Sequence, residues 1–562
     1  MPLPRFTLLL LLGGLASAQA GELLYNGIEL PAAWPPKRTS GDLLTFEPMR
    51  VPYLDTPPAV IPIDRGRQLF VDDFLVERTT LTRRFHKAEP YSGNPILRPN
   101  RRWEMRESPP LQRSAMAYSD GCFYDPQDGL FKLWYRHAMR AGTCYAVSRD
   151  GLTWEKPELD VRPGTNIVNL AGMRNSSTVW LDHDAARPSE RFKLFQYHFD
   201  IPAASVHTSP DGIHWSAPTW TGPTGDRLSM FYNPFRKVWV FSIRAAIGRV
   251  PLDYQVRPVR QMHRARKYWE TPDFVGGARW AGTKNVNDDW PDGAPQFWYA
   301  ADRLDSPNTP VGEVMSELFN LDAAPYESLM LGLFTILRSE PKGDDAGNEL
   351  LLGFSRDGYH WDRPFREAVL TGTQVPKAWN HHNIQSVGGG CLVVGDRLYM
   401  YHSGRSETEH STGLAFFRRD GFASMEAGAA GGTLTTRPVR FAGKHLFVNV
   451  DSPRGELRVE VLDREGRVLA PFTRENCVPV QGDATLRQIA WRGAPDLARL
   501  AGQPVRFRFH LTNGALYAFW VSPEASGASH GFIGAGGPGF PGARDTVGRA
   551  AYEAAAKLPA AR

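Results

Sequence analysis

Cysteine is scarce, with 4 among 562 residues. That density excludes a disulfide-stapled scaffold. Cys122 and Cys144 fall on the first and third strands of one expected sheet. Alternate strands stand about 10 Å apart, beyond disulfide reach. Cys391 and Cys477 fall in different segments, so all four read as buried thiols. Long apolar runs are missing beyond the N-terminus, which excludes a helical membrane span. Charge of one sign does not dominate: 65 Lys and Arg stand against 60 Asp and Glu, a formal balance of +5. No basic run carries interleaved aromatics, so a nucleic-acid partner is excluded. The chain also lacks a glycine-rich phosphate loop, H-E-x-x-H and G-x-S-x-G. His381-His382 is too short a cluster for a zinc site. Nothing demands a cofactor or a catalytic metal, and a structural calcium ion is compatible with the sequence.

The N-terminus has the layout of a secretory signal. Arg5 supplies charge, Leu8 to Leu12 begin an apolar run, and Ala18-Gln-Ala20 offers a cleavage site. No cysteine follows it to take a lipid. The mature chain is expected to be secreted or periplasmic, after cleavage near Ala20.

What is abundant is glycine (53), proline (45) and aromatics (11%), the composition of many short strands and turns. One stretch recurs. Ser148-Arg-Asp-Gly-Leu-Thr-Trp-Glu-Lys-Pro157 returns as Ser209-Pro-Asp-Gly-Ile-His-Trp-Ser-Ala-Pro218 and as Ser355-Arg-Asp-Gly-Tyr-His-Trp-Asp-Arg-Pro364. His263-Arg-Ala-Arg-Lys-Tyr-Trp-Glu-Thr-Pro272 reads as a worn copy and Arg418-Arg-Asp-Gly-Phe422 as a truncated one. Asp-Gly makes a tight turn, and the tryptophan after it suits the gap between packed sheets. Three strands precede each box, as in Ala115–Tyr124, Phe131–His137 and Thr143–Ser148. Five such units, each with room for a fourth strand, predict a five-bladed β-propeller.

The division expected along the chain is a signal peptide at 1–20, an extended Pro-rich arm at 21–65, the propeller at 66–428, a β-sandwich at 429–522 and a flexible Gly- and Ala-rich tail at 523–562. Gln68–Val76, the first convincing strand, is expected to supply the missing strand of the last blade and close the ring.

Innermost propeller strands start around the axis, so polar residues at those starts are the functional candidates. They are Glu107 and Arg113, Asn175, Asp226, Glu317, and His381 and His382 with Gln385. Paired carboxylates supply the acid and the base or nucleophile that glycosidic bonds require. Asp226, Glu317 and Glu107 are therefore the candidate catalytic residues, with Arg113, Asn175, Arg244, His382 and Gln385 for binding a glycan. Glu104, Asp289 and Glu327 are reserve carboxylates. Asp150, Asp211 and Asp357 repeat in turn slots and read as structural. Arg244 ends the second strand of its unit, where other units have His137, His198 and His402. That position suits either blade-to-blade packing or the funnel.

Asn94-Pro-Ile-Leu97, the Phe123-Tyr-Asp125 to Trp134-Tyr135 hairpin, the three Ser-x-Asp-Gly-x-x-Trp boxes and a trailing β-sandwich together resemble the five-bladed propeller glycosidases. These are glycoside hydrolase families 32, 43 and 68, with family 32-like bacterial proteins the nearest in arrangement. The resemblance covers about residues 66–522. It implies a propeller fold and a glycan substrate. The family 32 motifs W-M-N-D-P-N-G, R-D-P and E-C are absent, so no acidic residue is carried over and a fructan substrate is not implied. The expectation is a secreted glycoside hydrolase, a monomer or small homo-oligomer. The alternatives are a non-catalytic carbohydrate-binding propeller and a polysaccharide lyase using Arg244, His382 and Tyr118.

Overall fold

The computed structural model describes residues 21–106, 112–138, 142–169, 174–201, 203–248, 263–306, 316–338, 347–381 and 383–559. The expected signal sequence, Glu107 and His382 lie outside them. The architecture is all β: a five-bladed propeller followed by a β-sandwich.

Blade 1 runs outward from Gln112–Met116 and Cys122–Asp125 through Leu130–His137 and Gly142–Ser148 to Ile167–Asn169. Blade 2 is Arg174–Leu181, Phe192–His198, Ala203–Ser209 and Thr219–Trp220. Blade 3 is Ser229–Asn233, Val238–Ile247, His263–Thr271 and Gln296–Ala300. Blade 4 is Glu317–Glu327, Leu329–Leu337 and Asn348–Ser355, edged by bridges to Asp362 and Leu370. Blade 5 is Ile384–Ser386 with Leu392–Val394, then Arg397–Arg405 and Glu409–Arg418. Inner strands are covered on both faces by neighbouring blades, so they lack polar alternation. Phe192–His198 is buried at every position. Blade 1 departs from the expected strand pattern. Ala115–Tyr124 reads as a single strand, but it breaks at Ala117–Gly121, where Asp120 N–H bonds Ala117 O at 2.8 Å and Tyr118 takes φ +55°.

The repeated box is a clasp between blades. In each intact copy the serine hydroxyl accepts from the glycine N–H at 2.8–2.9 Å, and the aspartate accepts from two following N–H groups at 2.8–2.9 Å. The glycines sit at φ +75° to +82°, where a Cβ is strained. A side chain of the preceding blade then caps each turn. Tyr401 OH donates to Gly151 O at 2.7 Å, Trp134 Nε1 to Gly212 O at 2.8 Å, and Trp298 Nε1 to Tyr359 O at 2.9 Å. The third copy lies elsewhere than the sequence suggests. His263–Thr271 is a strand, and the turn follows it, with Asp273 accepting from Val275 and Gly276 N–H at 3.1 and 3.0 Å.

Ring closure also differs from expectation. Gln68–Leu69 pairs with Phe519 and Ala518 of the sandwich, and Val76–Thr79 with Gly432–Thr436. The apolar face of that segment packs on the sandwich core, where Phe70 stacks on Phe519 with centroids 5.6 Å apart. The edge of blade 5 is closed instead by Glu89–Pro90 on Phe416 and Ala415, and by Leu97 on Thr412. Between them Asn94 both donates to Leu414 O and accepts from Leu414 N–H, each at 2.8 Å. Backbone bonds and one amide do this work, so no hydrophobic period marks it. In the sandwich the long strand His445–Leu462 pairs with Gly514–Ser522 by its first half and Arg506–Thr512 by its second. Phe507, Phe509 and Leu511 point inward while Arg506, Arg508 and His510 are half-buried, the alternation of a sheet with one wet face.

The expected flexible tail is ordered through residue 559. Phe532–Ile533 adds to the inner strand of blade 4 at Tyr326 and Glu327, and Arg549–Ala555 is helical. Backbone bonds from Gly534 to Pro325, Tyr124 to Ala535 and Val393 to Gly536 run it beneath blades 4, 1 and 5. Its glycines are there for close approach. A Cβ on Gly531 would stand 2.1 Å from Glu327 Oε2, and one on Gly537 1.9 Å from Val393 O. Truncation after Ser522 would uncover Ile533, Phe540 and the partners they bury. Each such side chain contributes roughly 1.5–3 kcal/mol. The truncated protein is expected to melt well below the full chain or to aggregate, and an unchanged melting temperature would refute this role.

One titration at the blade 4 edge sets a pH dependence. Burial first, and then neighbouring Asp72, push the Asp362 carboxyl up to about 7 from 3.8. The folded state then holds a proton that the unfolded state has lost between those values. Stability contributed there is present at low pH and falls as pH rises from about 4 to about 7. Asp362→Asn is expected to stabilise the protein above pH 7, by on the order of 1 kcal/mol after solvent screening, and to change little at pH 4. Thermal melts at the two pH values test the sign.

Candidate active-site funnel

The five inner strands begin at one end of the axis. Asp226 lies just before the inner strand of blade 3. Gly225 lets this segment press on the second strand, since a Cβ there would stand 2.5 Å from Arg244 O. Blade 2 fixes the backbone: Ser176 Oγ donates to Asp226 O at 2.9 Å and accepts from Leu228 N–H at 2.8 Å. The carboxylate accepts from Asn175 Nδ2 at 3.2 Å and meets Arg244 Nη1 at 3.4 Å, with 37% of the side chain exposed. Arg244 therefore faces the funnel, whereas the histidines at the matching positions are packing groups. His137 bonds Trp103 O at 2.9 Å, His198 meets Ser205 Oγ at 2.7 Å, and His402 stacks on Trp379. Burial pushes His137 and His402 down to about 4.

Glu317 opens the inner strand of blade 4 and is ion-paired with Arg264, from the third strand of blade 3. Two residues along, on the same face, Arg266 donates to the carbonyls of both Arg227 and Phe319. One guanidinium thus ties the segment after Asp226 to the segment after Glu317. Asn175, Asp226 and Arg244 thus meet directly, and Glu317 is linked to them only through Arg264 and Arg266 of one strand. Gln385 is buried nearby, donating to Asn383 Oδ1 at 2.7 Å and accepting from Arg227 at 3.4 Å. Arg113 is exposed at the seam of the ring, where its strand pairs in parallel with Glu409 and His410 of blade 5.

The three reserve carboxylates lie elsewhere, and each is already occupied. Glu104 is fully buried, taking Lys156 at 2.7 Å, Tyr135 OH at 2.7 Å and the N–H groups of Asn100 and Arg101 at 2.7 and 2.8 Å. Asp289 accepts from Ser40 N–H and Oγ at 2.7 and 2.8 Å, anchoring the N-terminal arm at its short helix Ser40–Leu43. Glu327 lies at the far end of blade 4 in a buried ion network with Arg67 and Arg419, at 3.4 and 3.3 Å.

Sequence reasoning missed the floor of the funnel. Ser119 Oγ donates to Asp322 at 2.9 Å and accepts from Arg227 at 3.0 Å and Asn320 at 2.9 Å. Asp120 pairs with Arg174 at 2.7 Å. Burial, outweighing the nearby arginines, pushes both Asp120 and Asp322 up. The Tyr118 ring lies between two guanidiniums, 4.3 Å from Arg136 and 3.7 Å from Arg227. Arg264 and Arg266 had a sequence signal, two cations spaced by two on one strand, but reading His263–Pro272 as a box hid it. Among the described residues no three His, Cys, Asp or Glu side chains group as a metal site. No described helix is long and apolar enough to cross a membrane.

No family model matches the chain, and neither does any curated protein. Solved structures do. An endo-arabinase from Bacteroides thetaiotaomicron is 10% identical, over 54% of this chain and 94% of its own, with a TM-score of 0.34. A glycosyl hydrolase from Bacteroides ovatus is 12% identical, over 62% and 96%, with a TM-score of 0.34. An N-acetylgalactosamine deacetylase from F. plautii, solved with blood group B trisaccharide, is 13% identical, over 59% and 94%, with a TM-score of 0.35. At this distance none assigns an activity or a residue to this chain.

Proposed function

We propose that this protein is a glycoside hydrolase whose reaction takes place at the heads of the inner strands of blades 3 and 4. The observation that carries the reading is Asp226 and Glu317, each matched with an arginine of blade 3 and each on a segment whose backbone Arg266 holds at the next residues along. Hydrolysis needs one carboxyl group to protonate the leaving oxygen and another to attack the anomeric carbon or activate water there. Water supplies the hydroxyl to the anomeric carbon and the proton to the departing sugar. Asp226, the more exposed of the two, is assigned as base or nucleophile, and Glu317 as the proton donor, a role that requires Glu317 to leave the Arg264 ion pair and take up a proton when substrate binds. The signal-like N-terminus supports action on a glycan outside the cytoplasm. No cofactor is invoked.

A panel of oligosaccharides scored for new reducing ends tests this reading. Glu317→Gln should retain more activity on an aryl glycoside with a good leaving group than on the natural bond, because such a leaving group needs no proton. Equal loss on both would remove Glu317 from the acid role. Retention of glycans without cleavage by the wild type would make the protein a binding module. One observation favours a lyase as the second reading: Tyr118 held between Arg136 and Arg227. There the tyrosine would remove the proton alpha to a uronate carboxylate, the glycosyl oxygen would leave from the beta carbon, and a carbon–carbon double bond would form between them. Ultraviolet-absorbing products would identify that route.

A further inference from the structure

Charge around the funnel is unevenly matched. Three cations are balanced by a carboxylate: Arg174 by Asp120, Arg244 by Asp226 and Arg264 by Glu317. Three others are not. Arg136, Arg227 and Arg266 are 5%, 3% and 0% exposed, and no carboxylate among the described residues lies within ion-pair distance of them. Arg136 has Met116 Sδ at 3.8 Å and the Tyr118 ring, Arg227 has Ser119, Gln385 and the same ring, and Arg266 has two carbonyls. Each also leaves a buried Nε with no partner among the described residues. The described acids acting on them are Asp322, which feels Arg227 and Arg266, and two that already have an arginine partner, Asp120 beside Arg136 and Asp226 beside Arg266. Among the described residues, the six arginines thus meet four carboxylates, Asp120, Asp226, Glu317 and Asp322, a surplus of two positive charges. Desolvating an uncompensated charge costs several kcal/mol, so such a surplus works against the fold. Its field reaches the neighbours. Burial first, and then Arg136 and Arg405, hold His410 neutral, and burial lowers Arg136 itself to about 10.

We propose that the funnel takes an acidic glycan, and that Arg136 and Arg227, braced by Tyr118, receive the carboxylate or sulfate group of one of its sugars. A guanidinium fork matches the two oxygens of either group, and the ligand supplies the charge that the described residues lack. The proposal rests on the reading that the funnel is the glycan site. It adds the class of sugar.

The test uses the full chain and isothermal titration calorimetry with four probes. These are a galacturonate oligosaccharide, its carboxyl-reduced counterpart, a sulfated galactan oligosaccharide and inorganic sulfate. Binding is expected for one acidic oligosaccharide, at least tenfold tighter than for the neutral one, weakening with added salt. The galacturonate and sulfated arms decide between a uronate and a sulfate ester. Neutral and acidic sugars binding alike, or sulfate binding as tightly as either oligosaccharide, would overturn the proposal. Arg136→Met supplies a readout that a purely structural arginine would not give. It is expected to lose acidic-glycan binding at least tenfold while its melting temperature holds or rises, because a buried unpaired charge is gone. A lower melting temperature with unchanged binding would make Arg136 structural and sink the idea. Should that variant not fold, Arg227→Lys, which keeps charge but loses the fork, is expected to weaken the same binding, and no change there refutes it. Acidic glycans bound but left intact would defeat the hydrolase reading alone. Neutral glycans cleaved with no acidic binding would defeat this one alone.

Discussion

Arg67→Met is expected to lower the unfolding free energy by about 3–5 kcal/mol, the scale for stranding a buried charge partner. Arg67 is fully buried where blades 4 and 5, the sandwich and the tail meet. Its guanidinium reaches Asp420 of blade 5 at 2.9 Å, Glu327 of blade 4 at 3.4 Å, Thr485 O of the sandwich at 2.8 Å and Tyr552 of the tail at 3.2 Å, and it lies 4.1 Å from the Trp520 ring centre. Arg419 meets Glu327 at 3.3 Å and Asp545 at 3.0 Å. Two arginines thus serve three acids. Burial pushes Glu327 up against the pull of Arg67 and Arg419. Burial also opposes the charge on Asp420, yet the same two arginines hold it low. Removing Arg67 leaves three acids facing one cation with no water to screen them. Urea unfolding measures the loss as a lowered midpoint. Adding Asp420→Asn to Arg67→Met should recover part of it, because the two share one interaction. A single-variant loss below about 1 kcal/mol, the scale of a surface pair, would show the network to be dispensable.

This network also marks where sequence pattern stops being informative. The fifth box was legible as Arg418-Arg-Asp-Gly, but its aspartate does not repeat the turn role of Asp150. Arg67, 353 positions upstream, draws it into the network, and its neighbour Arg419 is held there by Asp545, 126 positions downstream. Periodicity reports the surroundings of a strand within its own sheet. It carries nothing about which distant side chain meets which. The propeller was legible because Asp-Gly turns and buried tryptophans are local devices repeated with each blade. Ring closure was not, because Glu89–Pro90 and Asn94 work through backbone bonds, while the more hydrophobic Gln68–Val76 answered to the sandwich core. The tail misled for a related reason. Glycine and alanine look uncommitted in sequence, yet they are what permits a chain to thread within contact of Glu327 and Val393. At the heads of blades 3 and 4, the arginines paired with Asp226 and Glu317 come from the second and third strands of blade 3, and a count of inner-strand starts carries no information about Arg264.

Asp226→Asn and Glu317→Gln are each expected to lower turnover by roughly 10²- to 10⁴-fold, the range for removing a positioned acid or base. Both substitutions keep shape and lose the carboxylate. In Asp226→Asn the new amide retains an oxygen to accept from Asn175, and the Ser176 contacts at 2.9 and 2.8 Å are made to backbone, so the segment should stay in place. Each variant does leave an arginine without its partner, Arg244 or Arg264, and those side chains are 23% and 27% exposed. Water can screen them, so the stability loss should be about 1 kcal/mol or less, far below the effect at Arg67. Reducing-end assays and melting curves on the same preparations separate the two effects. Asp211→Asn is the contrasting case. Its carboxylate holds the turn of the second box, accepting from Ile213 and His214 N–H at 2.8 and 2.9 Å, and touches nothing in the funnel. It should cost stability and leave turnover per folded molecule unchanged. If Asp226→Asn and Glu317→Gln behaved as Asp211→Asn does, with full turnover in the surviving fold, the heads of blades 3 and 4 would not be the reacting centre, and the arginine floor would remain as a binding surface alone.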